Sequence, residues 1–250
     1  PACAAAAAGW RAARTTMCAS VGSRLVAVRL PPVRPSARSV LSTKSPTNAA
    51  AHGGASAAWA DEATLRVLAA ALDQRDRDTH AHCGRVAALA GLLGRHCDLD
   101  RGQLADLTLG SRFHDVGKIG IPDGVLLAPR ALDEGDREIM RTHPERGERL
   151  FLATAREDAA RVGRLIRHHH EAIDGSGYPD GLRGDAIPLG CRVLSLVDAY
   201  DAMTSQRPYR EPMPGAVVMR ALGDRAGSIF DPDVFRAFER LLPLARELVG

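Results

Sequence analysis

His168-His169-His170-Glu171-Ala172-Ile173-Asp174-Gly175-Ser176-Gly177-Tyr178-Pro179 carries three consecutive histidines straight into a glycine-rich turn. Val162, Leu165 and Ile166 recur before it at helical spacing, so the histidines close a helix expected over 156–171. Histidine runs bind metals or move protons. Glycine lets a backbone pass close to a ligand. A second stretch answers the first, His114-Asp115-Val116-Gly117-Lys118-Ile119-Gly120-Ile121-Pro122-Asp123. Together they point to a metal-dependent site that works on a phosphate.

Outward from these stretches the pattern is helical. Leu65, Leu68, Ala69 and Leu72 predict a helix over 62–76, and Val86, Leu89, Ala90 and Leu93 another over 79–96. A third is expected over 101–116, ending near Gly117, with Pro122 blocking continuation. Asp133 reads as an N-cap for a helix to about His143, and Pro144 as an opening residue for the next. Residues 174–187, with Gly175, Gly177, Gly181 and Gly184, read as a loop. Helices are expected from Pro188 to Met203, over 214–225, and over 231–248 behind Asp231-Pro232. No stretch alternates at strand period, so the fold class is all-α.

Composition agrees. The 250 residues are 45% hydrophobic and only 4% aromatic, which suits a helical core of Ala, Leu and Val. No apolar run is long enough to cross a bilayer. Charge divides the chain: residues 1–60 hold seven basic and no acidic groups, whereas the rest hold 26 basic and 30 acidic. The globular part, 61–250, is thus mildly acidic, and a surface for nucleic-acid polymers is not expected. The Ala/Arg/Ser/Pro-rich 1–60 reads as a disordered tail or as sequence upstream of the true start; its composition also resembles a transit peptide. Five cysteines, Cys3, Cys18, Cys83, Cys97 and Cys191, lack metal-finger spacing and suit a reduced, cytoplasmic protein.

With cysteine set aside, lone pairs for a metal must come from His, Asp or Glu. The candidates are Asp78, His82, His114, Asp115, His143, His169, His170 and Asp198, spread over five or six expected helices. That distribution fits a site in the interior of a helical bundle. Asp78 and His82 stand i,i+4 on one helical face. His114 and Asp115 are adjacent and would diverge by about 100° on a regular helix, so both can serve only between helices or on an irregular backbone. Asp198 lies in the apolar run Val193-Leu194-Ser195-Leu196-Val197, where a carboxylate either faces a partner or costs several kcal/mol. Taken singly, each of these residues is as readily structural; taken together they are not. Lys118 is the single lysine after residue 60, against 25 arginines, which suits one ammonium near a phosphoryl oxygen or is chance. Arg207 and Arg210 could hold phosphate bidentately or cap a helix end, and Tyr178 could stack on a base.

The order His82, His114-Asp115, Asp198 resembles the HD phosphohydrolase superfamily. Gly117-Lys118, Ile121-Pro122-Asp123, His143-Pro144, His169-His170-Glu171, Asp174-Gly175-Ser176-Gly177-Tyr178-Pro179, Asp198-Ala199-Tyr200-Asp201-Ala202-Met203-Thr204, Arg207-Pro208-Tyr209-Arg210 and Phe230-Asp231-Pro232 narrow the resemblance to the HD-GYP domain, over roughly 62–245. The resemblance implies an all-α HD-type bundle that hydrolyses cyclic di-GMP to pGpG and on to GMP with two or three divalent ions, iron or manganese. It implies His82, His114, Asp115, His143, His169, His170 and Asp198 as metal ligands, with Asp115 bridging. It assigns Asp115 and Lys118 to catalysis and Lys118, Tyr178, Asp201, Arg207 and Arg210 to the substrate. Asp78 stands where family members with a third ion usually carry Glu. A sensor or diguanylate-cyclase-type domain is the expected signalling partner, since the family's hydrolase domain is usually attached to a sensory or receiver domain. Two other readings stand beside this one: a non-catalytic cyclic di-GMP receptor, and a phosphohydrolase for a different cyclic dinucleotide.

Overall fold

A computed structural model describes residues 53–75, 77–206 and 211–249, with 53–61, 77–80 and 243–249 by backbone alone. Ten α-helices follow in order: α1 (Gly53–Arg75), α2 (Arg77–His96), α3 (Arg101–Phe113), α4 (Asp123–Leu126), α5 (Glu134–Met140), α6 (His143–Leu152), α7 (Ala159–His168), α8 (Leu189–Thr204), α9 (Gly215–Gly223) and α10 (Pro232–Val249). A 3-10 turn, Val116–Gly120, joins α3 to α4. Among the described residues there is no strand, only one isolated bridge between Ala226 and Phe230.

Local chemistry sets most of the boundaries. Asp100 caps α3 and Asp133 caps α5, each accepting the N–H three residues on while that residue's side chain reaches back. Pro144 lies in the first turn of α6, where its missing N–H costs nothing. Asp231 accepts from the Asp233 and Val234 N–H groups at the start of α10, with Pro232 as first helical residue. A cap of this kind is worth about 1 kcal/mol.

Two apolar cores flank the centre of the bundle. One packs α2, α3, α8, α9 and α10 through Leu93, Leu107, Leu194, Leu196, Leu222 and Phe238. The other packs α1, α3, α6 and α7 through Phe113, Phe151, Val162 and Ile166, with Val116 of the 3-10 turn. α3 contributes to both, so its C-terminal end lies where they meet, and that is where His114 and Asp115 sit.

Three expectations need correction. α1 begins at Gly53 rather than near residue 62, because the run from Ala55 to Ala60 is rich in the best helix former. Residues 1–52 lie outside the described ones. α3 stops at Phe113 rather than near Gly117: Asp115 has φ −93° and ψ 3°, and the chain tightens into the 3-10 turn. Val116 keeps the apolar period, which hides this break from a periodicity reading. The helix expected over 156–171 is the shorter Ala159–His168, so His169 and His170 lie beyond it.

Candidate metal centre

Three of the candidate histidines stand at helix ends, and this fixes their chemistry. His114 is the C-cap of α3 and His169 the C-cap of α7. His143 follows α5 by three residues. The last carbonyls of a helix have no intrahelical partner. Each histidine uses the one three residues back: His114 Nδ1 donates to Ser111 O at 2.8 Å, His143 Nδ1 to Met140 O at 2.8 Å, and His169 Nδ1 to Ile166 O at 2.7 Å. A carbonyl can only accept, so the proton is on Nδ1 and the lone pair on Nε2. His82 lies inside α2, where carbonyls are engaged in the helix, and its Nδ1 meets the Asp201 carboxylate at 2.7 Å instead.

The Nε2 atoms converge. His82 Nε2 is 3.0 Å from Asp198 Oδ1, and His114 Nε2 is 3.8 Å from the same oxygen. His143 Nε2 and His169 Nε2 are 3.3 Å apart. The donor atoms fall into two groups, His82 with His114 and Asp115, and His143 with His169 and His170, each within 4.8 Å. Asp115 faces both: Oδ2 lies 3.4 Å from His114 Nε2 and Oδ1 3.4 Å from His143 Nε2. The irregular backbone at Asp115 makes this possible, since on a continued helix His114 and Asp115 would point apart.

These residues fit divalent cations on their own chemistry. The His114 Nε2 atom is buried and has no hydrogen-bond partner, a cost of about 1–3 kcal/mol unless an acid meets it. Burial lowers the pKa of His143 to about 4 and of His169 to about 3, and holds His170 well below the ordinary value, so these rings are neutral donors. Burial acts against the Asp115 anion, but the Lys118 ammonium beside it leads the opposing charges that keep the carboxyl ionised. His82 differs. Burial pulls it down, yet hydrogen bonds to Asp198 and Asp201 raise it to about 9, so in the absence of a metal a proton holds Nε2 to Asp198. A cation there displaces that proton.

The family model for the HD domain matches residues 24–234. The chain belongs to the HD domain family. The loop Gly177-Tyr178-Pro179 and the motifs around it make it an HD domain of the HD-GYP type. A cyclic di-GMP phosphodiesterase response regulator, RpfG of Xanthomonas campestris, is 41% identical over 68% of this chain and 45% of its own length. A 3'3'-cGAMP-specific phosphodiesterase of Vibrio cholerae is 34% identical over 66% of this chain and 32% of its own. Among solved structures, Bd1817, an HDGYP protein of Bdellovibrio bacteriovorus, aligns with TM-score 0.57 at 19% identity, covering 76% of this chain and 64% of that one, which speaks to the fold alone. The chain spans less than half the length of the curated relatives it matches.

The other candidates of this HD domain fall into place unevenly. Lys118 is buried, and its Nζ donates to Asp115 Oδ2 at 2.5 Å. Tyr178 lies against His170 with ring centroids 4.9 Å apart, and the Arg141 guanidinium sits 5.8 Å over its face. Asp201, assigned to substrate by resemblance, stands behind His82 and accepts from it and from Arg85. The Asp78 side chain and the whole of Arg207 to Arg210 lie outside the described residues.

Glu171 carries no local sequence signal for its role, and the structure supplies that role. It is buried, and its two oxygens accept the backbone N–H groups of Asp180 at 2.8 Å and Leu182 at 3.0 Å. Asp180 is gripped from outside by Arg167, at 2.6 and 2.7 Å, and by His168 at 2.8 Å. The loop thus folds back on the end of α7. It does so at Gly177, where a Cβ would come within 2.3 Å of Ala172 N and 2.5 Å of Glu171 Cα. Glu171→Ala would strand two N–H groups and is expected to cost about 1–3 kcal/mol. A thermal melt checks it. Arg85 and Arg141 also escaped sequence reasoning. In an arginine-rich chain neither carries a local signal, and each is identified only by its contact with a residue far away in sequence.

Proposed function

We propose that the chain is a metal-dependent phosphodiesterase that hydrolyses cyclic di-GMP to pGpG, with GMP as the further product, using two or three iron or manganese ions. The observation that carries this is the pair of adjacent donor groups joined by Asp115, in which buried histidines converge with carboxylates. The 41% identical relative named as a cyclic di-GMP phosphodiesterase supports the substrate. His82, His114, Asp115 and Asp198 would hold one ion, and Asp115, His143, His169 and His170 the other. Asp78 would serve a third. When bound, such ions supply Lewis acidity toward a phosphoryl oxygen and lower the pKa of a water.

The protein's own groups do the rest. The Nδ1 hydrogen bonds lock the rings of His82, His114, His143 and His169 in their orientations. Lys118 sits on Asp115, where its ammonium can face charge that develops on phosphorus oxygens. Tyr178, flanked by His170 and Arg141, offers a face for a guanine base, and Arg207 and Arg210 would hold phosphate. In the reaction water oxygen forms a new bond to phosphorus, the bond to the 3′ oxygen breaks, and that oxygen leaves with a proton. Cytoplasmic placement and control by a sensor or cyclase-type partner belong to the same proposal; no helix among the described residues is long and apolar enough to cross a membrane.

A second substrate reading rests on the cGAMP-specific relative at 34% identity. Incubation with cyclic di-GMP, 3′3′-cGAMP and cyclic di-AMP, followed by mass spectrometry of products, separates them. Cyclic di-GMP turned over fastest, with EDTA abolishing turnover, is the expected result. Faster cGAMP turnover would transfer the assignment to that nucleotide, and binding without product in a metal-replete sample would make the chain a receptor.

A further inference from the structure

Four of the candidate histidines are not held alike. His114, His143 and His169 lean on backbone carbonyls left free by a helix end. His82, inside α2, leans on the Asp201 side chain, which must itself be kept in place. Asp201 is buried, and it receives a bidentate pair from Arg85 one turn along α2: Nε to Oδ1 at 2.7 Å and Nη2 to Oδ2 at 2.8 Å. Ser205 Oγ also donates to Oδ2, at 3.2 Å, and accepts from Arg85 Nη2 at 3.0 Å. Arg85 therefore bridges α2 to α8, the helices that carry His82 and Asp198. Its own side chain is 50% exposed while that of Asp201 is 9% exposed. The chain of contacts runs from the surface inward, Arg85 to Asp201 to His82 to Asp198.

We infer that Arg85 is a positioning residue that acts through Asp201 on His82, and that it sets the affinity of the metal subsite of His82, His114, Asp115 and Asp198 while leaving that of His143, His169 and His170 unaffected. The inference rests on the metal reading above. Its physical basis is the fork. A guanidinium with two parallel bonds fixes the plane of the Asp201 carboxylate, and that plane fixes the His82 ring. Partners of this kind behind a metal-bound histidine are worth about 10–100-fold in metal affinity. Among the described residues neither Asp201 nor His82 makes a hydrogen bond or ion pair to His143, His169 or His170, so the larger effect falls on one ion.

The test uses the full chain, stripped of metal and titrated with Mn²⁺, with free Mn²⁺ followed by its electron paramagnetic resonance signal. Arg85→Ala should weaken one of the bound ions by about 10–100-fold and leave the other at wild-type affinity, with helical circular dichroism unchanged. Arg85→Lys keeps the charge but not the fork and should fall between; it also carries the test should the alanine variant fail to fold. Added methylguanidinium should restore affinity to Arg85→Ala, which a merely structural defect would not allow. Combined with His82→Ala, Arg85→Ala should have no further effect; combined with His170→Ala, it should have its full effect. Equal weakening of both ions, or wild-type affinity for both, would overturn the inference while the metal reading stands. A wild-type chain that takes up no Mn²⁺ would overturn both.

Discussion

Asp115→Ala is expected to lower kcat for cyclic di-GMP by about 10³-fold or more, because a carboxylate that faces both donor groups is lost. The change has a second consequence. Lys118 is buried with its ammonium on Asp115, so the variant breaks a buried ion pair. Breaking a buried pair costs about 3–5 kcal/mol. The two effects can be separated. Asp115→Ala/Lys118→Met removes the other charge of the pair and should recover much of the lost stability, read by urea unfolding, yet recover no turnover. Activity regained in the double variant would show that Asp115 serves folding and not the reaction.

Gly117→Ala should have the largest effect of any alanine substitution at a glycine. A Cβ there would lie 1.9 Å from His143 O and 2.5 Å from Gly147 N, both backbone atoms that cannot swing aside. The 3-10 turn would have to lift off α6. That is overpacking without a soft neighbour, worth about 2–4 kcal/mol, or a fall in Tm of roughly 5–15 °C for a domain of this size. Activity should fall as well, since Asp115 and Lys118 ride on the turn and His143 opens the helix it rests on. Gly124→Ala is the control: nothing lies within 4 Å of its Cβ, and stability should change by no more than about 0.5 kcal/mol.

The all-α class and the ligand-type residues were legible because both are written locally. Apolar spacing reports helices, and histidine beside aspartate is rare enough to stand out. The break at Phe113 was not legible, because Val116 keeps the helical period and the turn is imposed by the contact of Gly117 with α6. Periodicity did expose the problem that the break solves, since His114 and Asp115 could not both serve on one regular helix. The partners of Asp201 were not legible for a related reason. Its motif suggests a substrate contact, but its partners, His82 and Arg85, are more than 110 residues away in the chain. Glu171 was likewise invisible as a clamp, because its partners are backbone N–H groups that leave no mark in a sequence.

The central claim is that the two histidine groups joined by Asp115 hold metal ions that the hydrolysis of a cyclic dinucleotide requires. One sample tests it most directly. The chain is purified without oxygen, its metals are counted by mass spectrometry, and cyclic di-GMP is added to the same preparation. Two or three iron or manganese ions per chain, with pGpG or GMP formed and both ions and turnover lost in His143→Ala/His114→Ala, is the predicted result. A sample that stays free of metal after repletion, or that hydrolyses the nucleotide equally well without it, would contradict the account.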